Sequence, residues 1–182
     1  RQEYDLIRSL DHPHIVKAFD FINTVDSGSV IVLEHVGKNL SQVVKSAWGH
    51  KLSAEVSLSL FIQLMSAIDY LHARGIVHRD VKADNILVSA DLDDLRLTDF
   101  NTSCSADQAL TPTGTPDYAS PDVARGESPD QAHDVWAAGL CLHLMLAGRL
   151  PSRGSSGGAR KFKPEAAASI AGNEGRASEL CR

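Results

Sequence analysis

His78-Arg79-Asp80-Val81-Lys82-Ala83-Asp84-Asn85, followed by Ile86-Leu87-Val88 and, one acidic turn later, by Leu97-Thr98-Asp99-Phe100, is the part of this 182-residue sequence that decides its fold. Cationic, acidic and amide side chains crowd between apolar runs that belong in a core, and a further acid follows after a single hairpin. Ionisable groups are costly in such a place unless they are bonded or used. The residue types suggest a use. Asp80 can accept a proton, Lys82 can neutralise a phosphate, and Asn85 with Asp99 offers the oxygen ligands that a hard cation such as Mg²⁺ takes. Phosphoryl transfer asks for in-line positioning and charge neutralisation, and these side chains supply both.

The same residues carry a family resemblance. HRDVKADN is similar to the catalytic loop of eukaryotic protein kinases, and Thr98-Asp99-Phe100-Asn101 resembles their metal-binding Asp-Phe-Gly segment with the glycine replaced. Gly114-Thr115-Pro116-Asp117-Tyr118-Ala119-Ser120-Pro121-Asp122 is similar to the block that docks the peptide substrate in that family, with Ala-Pro-Glu changed to Ser120-Pro121-Asp122. The resemblance implies an α+β, two-lobed protein-kinase-like fold with a partial small lobe and a mostly helical, truncated large lobe. It covers residues 1–151, divided into a small-lobe remnant (1–35) and a large lobe (36–151). The Gly/Ser/Ala-rich residues 152–182 are expected to form a divergent, poorly ordered tail.

The resemblance also implies a chemistry: a serine/threonine protein kinase that transfers the γ-phosphate of ATP to protein Ser/Thr hydroxyls, with ATP and Mg²⁺ as cofactors. Asp80 takes the role of catalytic base, Lys82 steadies the γ-phosphate, and Asn85 and Asp99 hold the metal. Thr115 together with Lys82 follows the serine/threonine pattern. Backbone groups near Glu34 and Val36 bind the adenine edge, Leu33 guards the back of the pocket, and Leu87 lies under the ring. A protein substrate and an upstream activating kinase are the implied partners. The glycine-rich phosphate loop and strand lysine of the family are not in this sequence. The alternative is a pseudokinase or protein-binding scaffold without phosphoryl transfer, which Asn101, Ser120-Pro121-Asp122 and the tail favour and the retained Asp80, Lys82, Asn85 and Asp99 oppose.

Upstream of this stretch, Leu6, Ile7 and Leu10 have helical spacing and His12-Pro13 ends the helix. By the resemblance this is the end of the αC helix, and Glu3 is the acid that pairs with a lysine on an earlier strand; as a residue alone it fits a solvated charge equally well. Ile15–Ile22 and Ser29–Val36 read as strands around the turn Asp26-Ser27-Gly28, and the second fits a plain edge strand as well as a nucleotide-binding hinge. Gly37–Ala47 starts a short helix and Gly49-His50 breaks it. Ser53 caps a longer helix with Val56, Leu60, Phe61, Leu64, Ile68 and Leu71 on one face, closed at Arg74-Gly75. Met65 and His72 need no role there beyond packing.

Downstream, His78 reads as a packed structural residue rather than a base. Arg79 resembles the arginine that binds a phosphate on the activation segment, for which Thr111 and Thr113 are candidates. Ala90-Asp91-Leu92-Asp93-Asp94 lacks the glycine and closing glutamate of a calcium loop, so a wet hairpin tip is expected. Asn101 is expected to occupy the backbone angles that glycine permits, where asparagine is among the better substitutes. Ser128-Pro129 starts a final helix in which Val135, Trp136, Leu140, Leu142, Met145 and Leu146 predict burial on most sides. Asp134 on it has to be hydrogen bonded, and the resemblance implies backbone N–H donors from the catalytic loop. No arginine partner for Asp122 is recognisable.

Composition narrows the remaining classes. A formal charge of −5 with scattered basic residues argues for neither nucleic acid nor membrane partners. The Arg160-Lys161-Phe162-Lys163 cluster reads as a solvated loop. Three cysteines, Cys104, Cys141 and Cys181, lie far apart and indicate neither a disulfide framework nor a zinc site, which points to an intracellular, cytoplasmic setting. No apolar run in the sequence reaches the roughly 18 residues of a spanning helix. The opening at Arg1, inside a helical pattern, reads as a fragment.

Overall fold

In the computed structural model, residues 1–24, 28–105 and 115–152 are described. Helix α1 (Gln2–Ser9) leads to the strands β1 (Ala18–Thr24) and β2 (Gly28–Leu33). Next come β3 (Lys38–Asn39), α2 (Leu40–Ser46) and the long α3 (Ala54–His72). Four short strands follow, β4 (Ile76–Val77), β5 (Ile86–Val88), β6 (Leu95–Leu97) and β7 (Cys104–Ser105), and then α4 (Pro121–Ala124) and α5 (Gln131–Ala147).

Helices α3 and α5 pack on each other and contribute a large part of the core. Ser53 accepts the Val56 N–H and starts α3, whose Leu60, Leu64, Ala67, Ile68 and Leu71 recur at three- and four-residue steps and are buried. By length and composition alone this 19-residue helix could cross a membrane, contrary to the expectation from the sequence. Its buried face is, however, covered by α5 and β6 of this chain. Helix α5 begins at Gln131 behind an Asp130 cap rather than at Ser128. It is covered on most sides, as expected: residues 136–146 are all buried or half-buried, Ala137, Ala138, Leu140, Cys141 and Met145 form the inner face, and only Val135 of the expected set is exposed, at 47%. Small side chains line that face because they let two helices approach closely. The helix ends at Gly148, where φ is 72° and a Cβ would lie 2.3 Å from the His50 carbonyl oxygen, so glycine alone fits.

The hairpin β5–β6 is the floor on which the polar stretch rests. It pairs antiparallel (Ile86↔Leu97), with β3 on its other edge. Gly37 admits β3: a Cβ there would stand 2.2 Å from the Val88 carbonyl oxygen. Leu97 donates its N–H to His14 (2.9 Å) and accepts from Val16 (3.0 Å), which joins the hairpin to the N-terminal part.

Strands β1 and β2 form a separate antiparallel ribbon, beginning at Ala18 with a bulge before Asp20, later than the alternation predicts. The turn expected at Asp26-Ser27 lies outside the described residues, as do Thr111, Thr113, Gly114 and residues 153–182. One face of the ribbon leaves Phe19, Ile22, Val30 and Val32 exposed, while Phe21 stacks against Tyr4 of α1 at 5.5 Å.

Candidate functional site

The residues of HRDVKADN are held by a buried acid. Asp134 is fully buried at the start of α5 and accepts the backbone N–H groups of His78 (2.9 Å) and Arg79 (2.8 Å). Its third partner is the His72 ring, 2.9 Å away, a residue for which the sequence suggested only packing. These bonds hold Arg79 in a left-handed backbone conformation, φ 71°, that a non-glycine residue adopts only under constraint. Arg79 is itself buried. Its suggested phosphate partners, Thr111 and Thr113, lie outside the described residues.

His78 is wholly buried and uses both ring nitrogens. Nε2 meets the Thr98 carbonyl at 3.2 Å, Nδ1 meets the Asp80 N–H at 3.4 Å, and the ring stands edge-on to Phe100 at 4.9 Å. Burial lowers its pKa, with Asp134 and the Thr98 carbonyl opposing. The neutral ring therefore donates to Thr98 and accepts from Asp80, and has no nitrogen left for proton abstraction.

Beyond it the polar side chains converge. Lys82 Nζ donates to Asp80 Oδ2 at 2.6 Å and to Thr115 Oγ at 3.0 Å, and the Thr115 hydroxyl donates to Asp80 Oδ1 at 3.0 Å. Asn85 Nδ2 donates to the Asp80 carbonyl (3.0 Å) and to its Oδ2 (3.1 Å). Asp80, Lys82, Asn85 and Thr115 thus form one closed network with an ionised carboxylate at its centre. Tyr118, buried in the same block as Thr115, accepts the Ala83 N–H at 3.3 Å and locks that block onto the loop.

Asp99 reaches the same place by the other strand of the hairpin. The Thr98 N–H bonds the Asn85 carbonyl at 3.0 Å, which ties the backbone just before Asp99 to the loop. The left-handed conformation expected at Asn101 falls on Asp99 instead, φ 65°. The Asn101 side chain turns back and donates to Asp99 Oδ1 at 2.9 Å. Asn85 Oδ1 and Asp99 Oδ2 accept no hydrogen bond from the described residues. A carbonyl-type oxygen and a carboxylate oxygen are the kinds of ligand that suit Mg²⁺, which takes few protein ligands and completes its shell with water and phosphate. Among the described residues no group of three or more His, Cys, Asp or Glu could hold a metal by itself.

Two further acids settle differently from expectation. Glu3 is neither paired with a lysine nor simply solvated: its Oε1 accepts the Phe100 N–H at 3.2 Å. Burial raises its pKa, the Phe100 bond pulls it down, and Asp99 adds to the rise. Asp122 does have an arginine, but a local one, Arg125, on the exposed end of α4. His133, just before Asp134, meets the Ser120 N–H at 3.4 Å from the opposite side, a contact with no signal in the sequence.

The residues expected to face a nucleotide are Leu33, Glu34, Val36 and Leu87. Leu33 and Leu87 are half-buried, Leu87 on the opposite side of β5 from the buried Val88. Val36 and the Glu34 carbonyl make no backbone hydrogen bond among the described residues, while the Glu34 N–H bonds Lys17 at 2.9 Å. The Glu34 side chain accepts the Lys17 N–H at 2.9 Å and stands 3.4 Å from Arg96. A separate cavity of about 530 Å³, lined by Val43, Leu52, Val88 and Leu92, lies on the other side of β5 and touches none of the transfer residues.

Comparison with known proteins gives the family. The family described as "Protein kinase domain" matches residues 1–173. The carbon catabolite-derepressing protein kinase of Candida glabrata is 35% identical over 156 residues, covering 82% of this chain and 24% of that protein. CBL-interacting protein kinase 31 of Oryza sativa is 35% identical over 159 residues, 83% of this chain and 34% of its own length. The chain therefore spans about a quarter to a third of these relatives. Among solved structures, a chain of the yeast RNA Pol II CTD kinase CTDK-1 complex superposes with a TM-score of 0.74 at 26% identity, covering 85% of this chain and 52% of that one. The fold is thus α+β and kinase-like, a partial small lobe on a truncated, mostly helical large lobe, and the chain belongs to the protein kinase domain family.

Proposed function

We propose that the protein containing this chain is a serine/threonine protein kinase that moves the γ-phosphate of ATP to Ser/Thr hydroxyls of a protein substrate. The observation that carries this reading is the closed network of Asp80, Lys82, Asn85 and Thr115. Asp80 orients the substrate hydroxyl and takes its proton, a role that contributes on the order of 10²- to 10⁴-fold in rate. Lys82 stands beside that carboxylate and neutralises the migrating phosphate. Thr115 bonds both and keeps the docking block in register with them. Asn85 and Asp99 would hold Mg²⁺, which offsets phosphate charge when bound. Leu33, Leu87 and the backbone at Glu34 and Val36 would flank the adenine.

The same reading divides the chain into a small-lobe remnant (1–35), a large lobe (36–151) and a tail, with an upstream kinase as activator and a cytoplasmic setting. A scaffold without transfer is the second reading. The exposed, local Asp122–Arg125 pair favours it, because the Asp122 carboxylate itself is tied to no distant element.

The test is a thermal melt of the intact protein with ATP and Mg²⁺, followed by labelling of Ser/Thr peptides from radioactive ATP. A kinase is stabilised by the Mg²⁺-dependent nucleotide and labels the peptides. Stabilisation without labelling identifies the scaffold and overturns the proposal.

A further inference from the structure

We propose that Asn101 determines the choice of cation: its amide holds Asp99 so that this carboxylate offers a single oxygen, which favours a small octahedral cation over a larger one. This rests on the reading above, in which Asn85 and Asp99 are the cation ligands.

The position resembles one where the family carries glycine, yet the conformational freedom of glycine is not used there. The left-handed residue is Asp99, φ 65°, and Asn101 is not among the non-glycine residues with positive φ. Its side chain is free to act instead, and Nδ2 donates to Asp99 Oδ1 at 2.9 Å. The nitrogen has to face the carboxylate, because an ionised carboxylate only accepts. Asn101 is exposed, so no packing force imposes this contact.

Two consequences follow. Asp99 is held in one orientation before any cation arrives. Coordination through both of its oxygens would also press a cation against the amide hydrogens, so Oδ2 remains as the donor. Mg²⁺ requires a compact octahedral shell, keeps several waters and takes single carboxylate oxygens, whereas Ca²⁺ accepts more ligands at longer range and readily takes both oxygens of one carboxylate. The side chain of residue 101 thereby sets a preference that a glycine would leave open.

The experiment is binding of Mn²⁺ with ATP to the intact protein, followed by electron paramagnetic resonance and displaced by Mg²⁺ or Ca²⁺. In Asn101→Gly and Asn101→Ala the affinity for Ca²⁺ relative to Mg²⁺ should rise about three- to tenfold, the factor set by one hydrogen bond. Alanine is included because it removes the amide without adding backbone freedom; an unchanged ratio in Asn101→Ala overturns the proposal. Asp99→Asn separates the two levels of the argument. If it binds Mn²⁺ as well as the wild type, the ligand assignment itself fails. If it loses Mn²⁺ while both Asn101 variants keep the wild-type ratio, only the role of Asn101 fails.

Discussion

The loop around Asp80 and the ribbon β1–β2 are built from opposite materials. The loop is polar and buried: His78, Arg79 and Asn85 are 0%, 5% and 6% exposed, and the bonds of the first two run to Asp134 on α5 and to Thr98 just beyond β6. The ribbon is apolar and open, with Phe19 60% and Val30 49% exposed. Polar groups under cover must each find a partner, so their geometry is over-determined. Apolar groups in water constrain nothing. Rigidity in this molecule therefore follows buried hydrogen bonds rather than hydrophobic content, and substitutions should have large effects in the first region and small ones in the second.

Asp134→Ala is the strongest way to break this contrast. It strands the His78 and Arg79 N–H groups and the His72 ring inside the core, and should cost about 3–5 kcal/mol in urea unfolding. A loss below about 1 kcal/mol would show that the loop does not depend on its anchor.

Acid should weaken the first region before the second. Burial places the His78 pKa below its ordinary value. As pH falls through about 6.5 the unfolded chain takes up a proton that the folded ring refuses, so stability is full above that pH and lost below it, by up to about 1.4 kcal/mol per pH unit for one such group. His133 shifts in the same direction, again mainly by burial. Melting temperatures between pH 8 and pH 5 should fall for the wild type and fall less steeply for His78→Gln, whatever the offset of that variant. Parallel slopes would mean that His78 already carries its proton in the fold.

Arg125→Ala removes an ion pair whose side chains are 62% and 56% exposed and should cost less than about 1 kcal/mol. Smallest of all, Phe19→Ser or Val30→Thr in the ribbon should stay within about 0.5 kcal/mol. A larger loss would mean that the ribbon face is covered in the intact protein, which would sharpen the comparison by assigning that face a partner.

What could be read from the sequence divides along the same line. The need for Asp134 to be bonded was legible, because an acid on an apolar helix has few other options. The chemistry of Asp80, Lys82, Asn85 and Asp99 was legible as residue types, and the role of Thr115 only through the resemblance. The His72–Asp134 contact was not, since the partners are 62 positions apart and His72 sits in an ordinary helix end. The Glu3–Phe100 bond, 97 positions apart, has no local signature either. The move of the left-handed backbone from Asn101 to Asp99 was hidden because only glycine advertises such angles in a sequence. The density of apolar residues on α5 was legible as burial, and only Val135 departs from it.

The most direct test of the central claim is single-turnover phosphate transfer to a Ser/Thr peptide by the intact protein carrying Asp80→Asn. The account predicts a fall of about 10²- to 10⁴-fold in rate, with the stabilisation by ATP and Mg²⁺ preserved. Transfer at the wild-type rate would show that the carboxylate at the centre of the network takes no proton from the substrate, and would contradict it.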